Sequence, residues 1–116
     1  MANRFRYEPV LPKTRSELNR QLESGNPEKI ASALYSASRY DEDWKWAQDQ
    51  CLRFLDSEHV PVRWAAATCL GDLAFFRRPL DVPLVVSALE RAAKDPEIAD
   101  PARFSLSMVK EFLAAE

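Results

Sequence analysis

The 116-residue chain carries few side chains that could do chemistry: one histidine, His59, two cysteines, Cys51 and Cys69, and three tryptophans, Trp44, Trp46 and Trp64. Zinc takes four ligands from His, Cys and carboxylate, and Cys51, His59 and Cys69 are the candidates to begin such a set. Both cysteines fall at helical spacing on apolar faces, where a thiol packs as a small hydrophobe. The sequence therefore predicts core thiols and no metal. It holds no His-x-Glu pair, no Cys-x-x-Cys pair and no Gly-rich phosphate loop, so no cofactor is expected. A Ser–His–acid triad would have to use His59, and no spacing brings a serine to it. The chain is expected not to be an enzyme.

Charge and aromatics remain. Net charge is −2, unevenly spread. Residues 1–20 carry five basic and two acidic groups, whereas residues 41–60 carry six acidic groups against Lys45 and Arg53. No segment supplies the basic face that releases counterions from phosphates, so nucleic acid is not an expected partner. The acidic segment favours a basic protein partner, and equally could solvate a helix start. Within it, Trp44, Ala47, Cys51, Phe54 and Leu55 fit one inward face. Trp46 then lies about 200° around the helix from Trp44, beside Asp49, Gln50 and Arg53. An off-face tryptophan among carboxylates suits an interface anchor, or it packs under a neighbouring helix or the N-terminal tail. The candidate partner-binding set is thus Asp41, Glu42, Asp43, Trp46 and Asp49, with the concave surface of helices two, four and six as the next place to look.

The elements that position these residues are helices. Two glycines against 16 alanines argue against hairpins and for helices. Pro9 and Pro12 make residues 1–12 an extended tail. The first helix runs from about Thr14 to Ser24, with Leu18 and Leu22 inward, and stops at Gly25. Asn26-Pro27-Glu28 caps and opens the second, with Ile30, Ala33, Leu34 and Ala37 on one face. The third begins after Asp41-Glu42-Asp43. The fourth starts near Val60-Pro61 and carries Val62, Ala66, Cys69, Leu70 and Leu73, ending at Arg77-Arg78-Pro79. The fifth covers about Val82 to Lys94, with Val85, Leu89, Ala92 and Ala93 inward. A sixth starts at Asp100-Pro101 and carries Ala102, Leu106, Val109 and Leu113. The longest apolar stretch, Trp64 to Leu70, is too short to cross a membrane. The N-terminus lacks the apolar core of a secretory signal. A cytoplasmic protein with reduced thiols is expected.

The later helices repeat. Pro61, Val62, Arg63 and Trp64 align with Pro101, Ala102, Arg103 and Phe104 at an offset of 40, and Leu73 aligns with Leu113. A period near 40 built from two helices marks an α-solenoid. Asp56 followed by Val62-Arg63-x-x-Ala66-x-x-x-Leu70-Gly71-x-Leu73 resembles the second helix of a HEAT repeat, and Asp95 with Arg103 resembles a second copy. Lys110 and Glu111 replace Leu70 and Gly71 in that copy, as suits a terminal repeat with a wet outer face. The resemblance implies an all-α, right-handed solenoid of about three HEAT-like pairs spanning residues 1–116. Residues 1–12 would be the tail, 13–40 a degenerate first repeat, 41–78 the second and 79–116 the third. It also implies that Asp56, Arg63, Asp95 and Arg103 brace adjacent repeats.

The chain is also similar to small bacterial HEAT-like immunity proteins that neutralise a toxin, often a basic nuclease. That resemblance implies a non-catalytic protein-binding module. An adaptor or assembly chaperone is the rival within binding modules. A HEAT-like DNA glycosylase is the rival from the enzymes, since such enzymes use tryptophans and an aspartate on a basic groove. The HEAT-like diiron hydroxylases need several His–Glu pairs, which are missing here. Oligomeric state is not legible in the sequence.

Overall fold

Four of the described helices start where a short polar side chain takes up free backbone N–H groups. A computed structural model describes residues 9–115, with no strand among them. The helices are α1 (Arg15–Leu22), α2 (Pro27–Tyr40), α3 (Trp44–Phe54), α4 (Val60–Phe75), α5 (Val82–Ala92) and α6 (Ala99–Ala115). Thr14 and Glu17 form a reciprocal capping box on α1. Asn26 caps α2 ahead of Pro27, Asp43 caps α3 and Asp81 caps α5. Gly25 takes φ 73 in the turn after α1, a left-handed conformation that favours glycine. Of the expected tail, residues 1–8 lie outside the described residues. The following segment runs along α2, where Ser36 Oγ donates to the Leu11 carbonyl at 2.7 Å and Tyr40 to that of Val10 at 3.1 Å.

Consecutive helices pack as α1–α2, α3–α4 and α5–α6, and the second members stack on one another, α2 on α4 and α4 on α6. This stacking is consistent with a solenoid. α4 sits at the centre and is buried on most of its surface: Val62, Ala66, Cys69, Leu70 and Leu73 are fully covered, as the spacing predicts, Ala67 and Gly71 are buried too, and Trp64 and Phe75 face outward. Its small residues let the neighbouring helices approach. A Cβ on Gly71 would lie 2.7 Å from Ser105 Cβ and 2.8 Å from Ser105 Cα, so only glycine fits against α6 there. Ser105 Oγ donates to the Ala67 carbonyl at 2.7 Å, which satisfies the buried hydroxyl at that crossing.

Two expectations about faces need correction, those for Leu113 and Trp44, and one buried residue lies on no predicted face. Leu113, aligned with buried Leu73, is 47% exposed, because among the described helices α6 packs against α4 and α5. On α3, Trp44 is only half-buried rather than inward, and of the two placements open to Trp46 the structure has the packed one, against the core. The reason is that α3 is covered on two sides, by α4 and by the α1–α2 pair. Gln48, on no predicted face, is fully buried, and its Oε1 accepts from the Asp81 backbone N–H at 2.6 Å.

The expected brace between pairs is half present. Arg63 lies 3.5 Å from Asp95 and 2.8 Å from Glu97, and donates to the Ser57 carbonyl at 2.9 Å, tying the α3–α4 turn to the α5–α6 turn. Asp56 and Arg103 are exposed and form no ion pair among the described residues.

A second tie was not legible in the sequence. α4 ends in a Schellman turn, in which the Arg78 N–H reaches the Leu73 carbonyl and Arg77 takes φ 59. That turn throws the Arg78 side chain back onto α2. There it donates to the carbonyls of Ala37 at 3.1 Å, Ser38 at 2.8 Å and Asp41. A guanidinium at a helix C-terminus satisfies orphan carbonyls and opposes the negative end of the dipole.

Candidate functional site

The turn into α3 gathers three of the five residues singled out from sequence, and it does so around an arginine. Arg15 of α1 grips Asp41 with two hydrogen bonds, Nε to Oδ2 at 3.2 Å and Nη2 to Oδ1 at 2.8 Å. The same guanidinium lies 3.8 Å from the centroid of the Trp46 ring. Asp41 also accepts from the Asp43 N–H at 2.9 Å, and Asp43 in turn caps Trp46 N at 3.0 Å. Burial pushes the Asp41 carboxyl up, but the Arg15 and Asp43 hydrogen bonds and nearby Arg78 outweigh it and hold it below the usual carboxylate range. Glu42, Asp43 and Asp49 are exposed, Asp49 facing Lys45 at 3.6 Å. Carboxylates are therefore presented to solvent here, while Trp46 is half-buried beneath Arg15.

The α2–α4–α6 side is different in character. On α4, Trp64, Thr68, Asp72 and Phe75 recur at helical spacing and form a stripe. On α6, Phe104 and Met108 face it across a groove of about 290 Å³ whose floor is the Gly71–Ser105 crossing. Phe75 and Phe104 are 61% and 65% exposed. Lone exposed apolar residues are ordinary, but grouped aromatic rings on one face mark an interaction surface. Phe76 adds a ring at the end of α4, edge-on to Phe75 at 5.0 Å.

One carboxylate lies among these rings. Burial pushes the Asp72 carboxyl up against the opposing pull of Arg39 on α2. Asp72 Oδ2 is buried with no hydrogen-bond partner among the described residues, and so is Arg39 Nε. The two side chains form no ion pair with each other; Arg39 lies over the Phe76 ring at 5.1 Å. Beside them burial pushes the Tyr35 phenol up to about 12. The period that placed Leu70 and Leu73 inward also puts Thr68, Asp72 and Phe75 together, and this was the signal available for finding the stripe.

The thiols and the histidine lie elsewhere. Cys51 and Cys69 are free, buried and adjacent between α3 and α4, and burial pushes the Cys69 thiol up. His59 precedes α4 and lies 3.5 Å from Glu58. No group of three or more His, Cys, Asp and Glu among the described residues is placed to hold a metal, and no described helix is long and apolar enough to cross a membrane.

An all-α stack of helix pairs with one open aromatic face defines the class. The chain superposes on a chain of the crystal structure of a CDI complex from Cupriavidus taiwanensis LMG 19424 with a TM-score of 0.83. The two are 32% identical over 93% of this chain and 97% of that one. This protein therefore belongs to the family of that CDI-complex protein. No protein-family model, those of HEAT repeats included, matches the chain, and no curated protein matches it.

Proposed function

We propose that this chain is the immunity protein of a contact-dependent inhibition pair: it binds a cognate toxin domain in the cytoplasm and neutralises it without catalysis. The likeness to a chain of a CDI complex along nearly its whole length carries this reading. The toxin domain is basic and of the nuclease type. Support for the basic character comes from the acidic start of α3, where Glu42, Asp43 and Asp49 are exposed and Asp41 and Trp46 form the base on which they stand. Exposed carboxylates of this kind act on encounter more than on lifetime, by raising the association rate.

The test is to seek a toxin domain encoded beside this chain and to express it in cells with and without the chain. Growth should be restored when the chain is present, and the purified pair should associate more slowly as salt rises. Cells that die regardless would overturn the reading. Association that ignores ionic strength would remove the basic character assigned to the toxin.

A further inference from the structure

The groove between α4 and α6 has a chemistry of its own. Its walls are aromatic and thioether, Phe75, Phe104 and Met108, and its floor is set by a crossing too close for any side chain on Gly71. At about 290 Å³ it falls at the bottom of the range for small-molecule sites, which suits a side chain better than a cofactor. The ionisable group on its lining is Asp72, whose Oδ2 is buried without a hydrogen-bond partner among the described residues.

A carboxylate held this way is unfavourable in the isolated fold, since a buried polar atom left unpaired costs stability. Arg39, the nearest opposite charge, is engaged with Phe76 and forms no ion pair with Asp72. Oδ2 itself is closed off, so a donor arriving through the groove meets the carboxylate at Oδ1 and offsets the charge of the whole group.

We infer that this groove receives an arginine side chain of the partner toxin domain, its guanidinium donating to Asp72 while its plane stacks between Phe75 and Phe104. This rests on the reading of the chain as an immunity protein and names where the toxin is anchored. Charge complementarity requires a cation. The two exposed rings select guanidinium over ammonium, because a guanidinium is planar, weakly hydrated and stacks on aromatic faces, whereas an ammonium is a strongly hydrated point charge. The division of labour is then spatial: the α3 carboxylates draw the basic domain in, and the α4–α6 groove holds it.

The experiment is calorimetric titration of the toxin domain that the growth test identifies into the wild-type chain, Asp72→Asn and Phe104→Ala, with each toxin arginine and lysine replaced by alanine in turn. Asp72→Asn should weaken binding about thirtyfold or more, as expected when one partner of a desolvated charge pair is removed, while its melting point stays level or rises. Phe104→Ala, at a ring 65% exposed, should fold normally and also weaken binding. One toxin arginine should lose its effect when combined with Asp72→Asn in a double-mutant cycle. Wild-type affinity in Asp72→Asn, or coupling to a lysine or to no cation, would overturn the assignment. A wild-type chain that does not bind the domain would overturn the immunity reading itself.

Discussion

The Arg15 guanidinium lies 3.8 Å from the centre of the Trp46 ring, so the tryptophan at the head of α3 is roofed by a cation from α1. Because that cation also holds Asp41 in two hydrogen bonds, α1, the end of α2 and the start of α3 share a single joint. Trp46→Ala should therefore destabilise the protein, by about 2 kcal/mol for a ring half-buried against the core. Urea unfolding would measure it. A stability unchanged from wild type would mean that the ring contributes nothing to the seam.

Asp41 gives the joint a pH dependence. Its folded-state pKa lies below its unfolded value, so its contribution is present in full above the unfolded pKa. That contribution is lost as pH falls through the folded pKa. Asp41→Asn should accordingly lower stability at neutral pH and flatten the acid limb of the profile. Thermal melts on the acid side of neutrality, for both proteins, would show whether the two curves converge.

Asp72 has the opposite sign. Burial raises its folded-state pKa, so the native state holds the proton more tightly and stability declines as pH rises through that range. Asp72→Asn should abolish the decline and melt at or above the wild type at neutral pH. A lower melting point across the whole range would show that the carboxylate stabilises the fold.

Leu73 and Leu113 occupy matching positions in the two aligned helices, yet they should respond differently. Leu73 is fully buried, and its replacement by alanine should cost roughly 2–5 kcal/mol. Leu113 is 47% exposed, and its replacement should cost less than about 0.5 kcal/mol, as for an ordinary surface change. Chemical denaturation of both variants would separate them, and equal losses would contradict the burial difference.

These contrasts show which parts of the fold were legible before the structure. Caps and prolines act locally, so the starts read at Thr14, at Asn26-Pro27, after Asp43 and at about Val82 fall within a residue of the observed ones. Periodicity found the face of α4 because that helix is covered from several directions and most of its apolar residues are inward. On α3 it left Trp46 open between an outward anchor and a packed ring, since a 3.6-residue period finds one face and this helix has two. Repeat alignment failed at Leu113 because sequence similarity does not say whether another pair stacks beyond.

The α3 carboxylates were visible as a charge run, but Arg15 was not, being 26 residues away from Asp41. The α4–α6 groove was hidden for a similar reason. Its walls come from residues separated by about one repeat, and its depth depends on a glycine whose partner, Ser105, no local spacing reveals.

Arg78 sets an order of events during synthesis. The carbonyls it satisfies, at Ala37, Ser38 and Asp41, leave the ribosome between 37 and 41 residues before it does. Domains form as units as the chain emerges, and here the Ser38 and Asp41 carbonyls lack the Arg78 guanidinium until the turn after α4 has been made, although Ala37 already accepts from the Asp41 N–H. A nascent chain stopped after α3 would carry a frayed α2. Two fragments divided between α2 and α3 could regain that helix end only by finding each other.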